Sequence, residues 1–289
     1  MSIRVVDAHT HLFPPDVITR RELFLKRDRW FGHLYENPKA KLAAAEDILE
    51  SMDIAEVTVS VVCGFPWADP GLSREQNDFM ADTCRLAPDR LEFLGIVVPG
   101  DVSAATEAER CFDLGAAGIG ELNADAQGFD LDVPANVQAV MDVCKQRKKP
   151  VMLHASEPIG HDYPGKGFST PDRLVPWLSA YDDQPIVLAH WGGGLPFYEL
   201  MPEVHAVTRN VVYDSAATTY LYRHDVFQHV TALAGTDRVM FASDYPILRQ
   251  DRLLRRVTRG MEGTPGFVDL VGGNADRVYG LRAKAGVER

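Results

Sequence analysis

Short apolar runs recur along the chain, and the stretches between them carry apolar residues three and four apart. The runs fall near residues 3–8, 56–62 (EVTVSVV), 91–98 (LEFLGIVV), 117–122 (AGIGEL), 150–154 (PVMLH), 186–190 (IVLAH), 211–214 (VVYD) and 238–243 (RVMFAS). Each has the length of a strand. Intervening segments such as KLAAAEDILESMD, SREQNDFMADTCRLA, VSAATEAERCFDLG, PANVQAVMDVCKQRK and TPDRLVPWLSAYD have helical spacing, and several open on Ser, Thr or Pro, which are helix start signals. Strands that alternate with helices pair in parallel and are covered on both faces, so their runs are continuously apolar. About eight such strands is the count of a (β/α)8 TIM barrel. Doubly wound open sheets share the alternation, and what separates the two is where the polar residues fall.

No repeat, low-complexity segment or Gly/Ser/Pro-rich linker divides the 289 residues, so a single α/β domain over 1–289 is expected, a length common for barrels. The exception to the rhythm is residues 12–38, a connection after strand one far longer than the usual few residues. Its Trp30, Phe31, His33 and Tyr35 point to an ordered flap, with packing against the barrel rim as the alternative.

Composition narrows the class without naming a substrate. Hydrophobic residues at 46% suffice for a large core, and a formal net charge of -11 argues against nucleic acid or an anionic membrane as partner. Cys63, Cys84, Cys111 and Cys144 are too widely spaced for a zinc finger or redox pair and read as free thiols in a reducing compartment. No signal-peptide core or membrane-spanning run is evident. A cytoplasmic protein is expected.

The candidate chemistry starts at "VVDAHTHLFPPD", residues 5–16. Residues two apart on a strand share a face, so His9 and His11 converge, with Asp7 expected on the same side. Two imidazoles at one point can bind one metal. Further polar residues stand at the C-terminal ends of later runs: Glu121, His154, His190, Asp214 and Asp244. In a parallel barrel these ends form one rim, where barrel enzymes carry their active sites. Each alone has an ordinary explanation, but metal-type side chains at one topological position on at least four strands outweigh it. His33, His161, His205, His224 and His229 lie in loop or helix segments and are expected at the solvated surface.

The motifs DAHTH, LHAS, LAHWGGGLPFYEL, NVVYDSAA, FASDYP and GGNADRVYGL resemble the amidohydrolase superfamily, in its branch of aminocarboxymuconate semialdehyde decarboxylase-like proteins and TIM-barrel metal-dependent hydrolases. The resemblance runs from residue 5 to about 281. It implies that His9, His11, His154 and Asp244 bind a divalent metal, zinc foremost, with His190 beside the bound water as base or electrostatic partner. It also implies a homodimer. Zinc lowers the pKa of bound water to about 7 and polarises a carbonyl; Asp244 can accept and return the proton, and His190 can stabilise developing charge. Glu121 either bridges a second metal or stands beside a mononuclear site, and the mononuclear arrangement is placed ahead. Asp7 and Asp214 are expected either to orient a histidine or to pair with a buried arginine. Trp191, Tyr163 and Arg249 are candidate substrate contacts.

Two reactions share these ligands. Metal-dependent hydrolysis of an amide, ester or lactone is placed first, and non-oxidative decarboxylation of a small unsaturated or aromatic acid is the alternative.

Overall fold

Each apolar run becomes a strand, and each strand pairs in parallel with the next. The computed structural model describes residues 3–281. The strands are β1 (Val6–His11), β2 (Val59–Cys63), β3 (Leu91–Gly95), β4 (Gly118–Leu122), β5 (Val151–Leu153), β6 (Ile186–Leu188), β7 (Val211–Asp214) and β8 (Val239–Met240), in that order. A bridge between Thr10 and Tyr245 joins the last strand's extension to the first, with Ala8 N donating to Phe241 O (2.9 Å), Asp244 N to His9 O (3.0 Å) and His11 N to Tyr245 O (2.7 Å). The architecture is a single (β/α)8 barrel.

Two apolar layers follow from strand alternation. Val6, Ala8, Val61, Leu94, Met152, Val187, Val212 and Met240 meet inside the barrel, where Ala275 and Tyr279 also join them. Val62, Ile119, Leu153, Leu188, Val211 and Phe241 face outward onto Ile48, Met80, Cys111, Val140, Leu174, Val230 and Val257 of the surrounding helices. Helices Ala45–Ala55, Pro70–Leu86, Ala104–Asp113, Gln138–Arg147 and Pro171–Ser179 lie where the sequence pattern places them. LPFYELMPEV, whose sequence predicts a helix entered through a turn at HWGGG, is not one continuous α-helix. Residues 195–198 form a 3-10 turn and the α-helix starts at Pro202, because Pro196 and Pro202 lack the N–H that a continuous α-helix needs.

Strand alternation breaks where the chemistry is. The β1–β2 register shifts between Asp7 and Thr10, so Ala8 faces inward and His9 does too. Asp7 is thereby turned away from the two histidines, contrary to simple alternation. It accepts from Ser243 N (2.9 Å), Ser243 Oγ (2.5 Å) and Gln250 Nε2 (2.8 Å), tying β1 to the β8 end, with no arginine involved. The β4–β5 register shifts between Ile119 and Leu122 and turns Glu121 inward. Such irregularities commonly re-aim a side chain at an active site.

The long connection after β1 is ordered. Helices Pro15–Thr19, Arg21–Arg27 and Arg29–Tyr35 pack through Val17, Phe24 and Phe31 onto Phe13, Phe65 and Trp67. The Phe31 and Trp67 rings stack at 5.1 Å. Arg21 fastens the segment by donating to the carbonyls of Tyr35, Asn37 and Ala40.

Under the loop after β6 lies a buried ion pair. Arg238 Nη2 stands 2.9 Å from Glu199 Oε1, and Tyr213 donates its hydroxyl to the same oxygen at 2.9 Å. Arg238 also donates to the carbonyls of Ala234 and Thr208. Removing one partner strands a buried charge. Arg238→Met is therefore expected to lower the unfolding free energy by about 3–5 kcal/mol in urea titration, and a loss within error of zero would contradict this account of the loop's anchorage.

Candidate metal centre and its cavity

His9 and His11 close β1, Glu121 sits in β4, and His154, His190 and Asp244 lie just past β5, β6 and β8. All six are buried, and their side chains form two adjoining groups, His9–His11–Asp244 and Glu121–His154–His190. The sequence-derived candidates meet in one place.

A hydrogen bond fixes the tautomer of His9. His9 Nδ1 is 2.9 Å from Asp214 Oδ2. An ionised carboxylate only accepts, so Nδ1 carries the proton and Nε2 faces the cluster. His154 has an acceptor opposite each ring nitrogen, with Glu121 Oε1 2.8 Å from Nδ1 and Gly165 O 3.1 Å from Nε2. Metal-binding histidines usually anchor their second nitrogen in this manner. Glu121 spans the two groups: Oε1 is 3.1 Å from His190 Nε2, while Oε2 is 3.7 Å from His9 Nε2 and 3.8 Å from His11 Nε2.

The donors fit a cation. His9 Nε2 and His11 Nε2 are 3.2 Å apart, and His11 Nε2 is 3.3 Å from Asp244 Oδ1. Facing lone pairs at such distances repel unless a proton or cation lies between them. Ligand atoms about 2.0–2.1 Å from a tetrahedral ion stand about 3.3 Å from one another. Asp244 Oδ1, His11 Nδ1 and His190 Nδ1 are buried without a hydrogen-bond partner, a condition that calls for a ligand.

Backbone strain collects at the same point. His190, Trp191, Gly192, Gly193 and Gly194 have φ of 55°, 59°, 57°, 60° and 91°, and Asp244 has 61°. This left-handed run costs on the order of 1–2 kcal/mol per non-glycine residue. Glycine is required at 193 for space as well, since a Cβ there would collide with the Ser156 carbonyl. The turn is held by Trp191 Nε1 donating to Thr218 Oγ1 (2.9 Å), by the Trp191 ring against Phe227 (4.8 Å), and by His190 N donating to Asp214 Oδ1 (2.9 Å).

A cavity of about 300 Å³ opens above the cluster. His11, Glu121, His154, His190 and Asp244 form its floor, and Trp30, Leu34, Tyr35, Phe65, Tyr163, Tyr220, Leu221 and Ile247 contribute to its walls. Tyr163 lines it, and its hydroxyl donates to Glu157 Oε2 at 2.8 Å. Trp191 does not line it, being wholly buried beneath the rim, and Arg249 does not either, being paired with Asp251 at 2.9 Å. His161, expected at the solvated surface, contributes to the cavity wall while staying exposed. The anchoring Gly165 carbonyl and Asn123 at the cavity edge carry no sequence signal of their own. A long loop after a strand-end histidine is the hint that could have pointed to residues 157–168.

Charges in the cluster support one another. Burial opposes the His9 imidazolium, but Asp214 and Glu121 overcome it and raise its pKa to about 10. Burial likewise opposes charge on His190, which Glu121 raises to about 9. Burial works against the Asp244 carboxylate, yet the neighbouring histidines, His11 foremost, lower it to about 2. Linkage gives the sign for the metal-free protein. A raised histidine contributes stability that is full below about 6.5 and is lost as pH rises through about 10. The gap in urea midpoint between metal-free wild type and His9→Asn should therefore be widest below about pH 6.5 and close towards pH 10; a gap that widens with pH would contradict the assignment.

Known proteins place this arrangement in context. A family model described as amidohydrolase matches residues 6–281. No curated protein matches the chain in sequence. Among solved structures, 5-carboxyvanillate decarboxylase from Sphingomonas paucimobilis is 18% identical, with a TM-score of 0.79 over 96% of this chain and 99% of that one. The 5-carboxyvanillate decarboxylase from Novosphingobium aromaticivorans, complexed with manganese and 4-hydroxy-3-methoxy-5-nitrobenzoic acid, is 19% identical, with a TM-score of 0.80 over 96% of each chain. A 2,6-dihydroxybenzoate decarboxylase from Rhizobium is 18% identical, with a TM-score of 0.73 over 97% of this chain and 100% of that one. At these identities the likeness establishes a shared fold.

Proposed function

The chain belongs to the amidohydrolase family, and we propose that within it the protein is a divalent-metal-dependent, non-oxidative decarboxylase of a small aromatic carboxylic acid. The observation that carries this reading is a small cavity with aromatic and aliphatic walls over a floor of histidines and carboxylates. Such a space suits a flat ring, and with no arginine or lysine among its described lining residues, a substrate carboxylate must be held at the floor. The sequence reading places hydrolysis first, although its motifs barely separate the two reactions. The cavity, together with a fold shared with decarboxylases of 5-carboxyvanillate and 2,6-dihydroxybenzoate, reverses that order.

His9, His11 and Asp244 would hold the ion, with His154 and Glu121 as the adjacent donors. Imidazole suits zinc and carboxylate suits manganese, so the mixed set is compatible with the zinc expected from sequence and with the manganese bound by the Novosphingobium relative. One ion is the arrangement we favour. When bound, the ion would supply positive charge that holds the substrate carboxylate at the floor.

The chain's own residues supply the proton. His190 Nε2 is engaged by Glu121, while Nδ1 is buried without a partner and lies 3.9 Å from Asp244 Oδ2. Nδ1 is thus the atom positioned to protonate the ring carbon that bears the carboxylate. A C–H bond forms, the C–C bond to the carboxylate breaks with its electron pair returning to the ring, and carbon dioxide leaves. Asp244 faces the imidazolium and stabilises its charge. Apolar walls disfavour the charged acid relative to neutral carbon dioxide, a contribution through desolvation. Four free thiols, Cys63, Cys84, Cys111 and Cys144, suit a reducing cytoplasm, and among the described residues no helix is long and apolar enough to cross a membrane.

The test incubates chelator-treated protein, reloaded with manganese or zinc, with a panel of hydroxybenzoic acids beside a panel of lactones and esters. Carbon dioxide release dependent on added metal is expected. Hydrolysis without carbon dioxide would overturn the reading in favour of metal-activated water. His190→Asn is expected to lower turnover by about 10²–10⁴-fold with metal content unchanged, as for loss of a proton-transfer group. Metal analysis should return close to one equivalent per chain; two equivalents would place a second ion on Glu121, His154 and His190.

A further inference from the structure

One carboxylate touches both halves of the proposed machinery and belongs to neither. Asp214, the last residue of β7, is fully buried. Its Oδ2 receives His9 Nδ1 at 2.9 Å. Its Oδ1 accepts from His190 N at 2.9 Å and from Ala216 N at 3.0 Å. We propose that Asp214 is a positioning residue that sets the tautomer of His9 for metal binding and, through the His190 backbone, holds the proton-bearing histidine in its left-handed turn. The inference rests on the metal-dependent reading above.

The chemistry is directional. A carboxylate has no proton to give, so His9 Nδ1 must donate and Nε2 must present its lone pair to His11 and Asp244. An amide at 214 keeps the shape and can still accept from His190 N through its oxygen. Its NH2 group, however, would face His9 Nδ1 and favour the opposite tautomer, with the proton on Nε2 where the ion should bind. The second contact has an independent control. Thr218 anchors the same left-handed turn by accepting from Trp191 Nε1, and its hydroxyl donates to Ser215 O rather than to His9. Loss of that hydroxyl disturbs His190 and leaves the His9 tautomer alone.

The experiment measures manganese and zinc affinity by calorimetry on full-length wild type, Asp214→Asn and Thr218→Val, with turnover followed in parallel. Asp214→Asn is expected to bind either ion about 10–100-fold more weakly, the usual cost of losing a group that orients a ligand, and to lose turnover. Thr218→Val is expected to lose turnover with metal affinity unchanged. Unaltered metal affinity in Asp214→Asn, with the wild type binding stoichiometrically, overturns the assignment of Asp214 alone. A wild type that binds neither ion overturns the metal-dependent reading and the assignment with it. Should Asp214→Asn fail to fold, histidine-ring 15N spectra of zinc-loaded wild type decide: protonated Nδ1 with Nε2 on the metal is expected for His9, and the reverse overturns the proposal.

Discussion

Two imidazole nitrogens that face each other at 3.2 Å, with a carboxylate oxygen 3.3 Å from one of them, make an arrangement that a folded protein would avoid without a use for it. The repulsion of the lone pairs has to be met by a proton or an ion. Much of the unusual geometry in this barrel serves to hold those donors together: the slip in β1 that turns Ala8 and His9 to the same side, the slip in β4 that brings Glu121 inward, and the positive φ of His190 and Asp244. These local penalties are tolerated because the inner and outer apolar layers of the barrel over-determine the strands around them.

The rim divides labour by depth. Asp214 lies beneath the histidines and orients them, Tyr213 beside it braces the loop through Glu199 and Arg238, and the aromatic segment after β1 roofs the cavity with Trp30, Leu34 and Tyr35. Gly165 links roof and floor: its carbonyl orients His154, and the loop that carries it also carries Tyr163. Substrate shape and metal binding are therefore tied to the same few loops.

Much of this was legible from the sequence because it depends on period and position. Continuous apolar runs separated by helical stretches specify a parallel barrel, and polar residues at the run ends mark the rim. His9, His11, Glu121, His154, His190 and Asp244 were all readable in that way. What escaped depends on departures from period. Asp7 was expected beside His9 because strict alternation puts it there, and a single register shift moved it to Ser243 and Gln250. The glycines after His190 make the tight turn they suggest, but its left-handed course buries Trp191 below the cavity that residue was expected to line. Arg249 was drawn to Asp251 two residues away, a local pairing that position on a rim loop does not reveal. His161 entered the wall because a loop folded back over the strand end, a tertiary event without a local signature.

The central claim is that His190 delivers a proton to a ring carbon as carbon dioxide departs. Running the reaction on a hydroxybenzoic acid in D2O and analysing the product by NMR and mass spectrometry tests it most directly. The account predicts one deuterium at the carbon that carried the carboxylate, with carbon dioxide released in equal amount. Solvent oxygen in the product without deuterium on the ring would contradict it and point to hydrolysis.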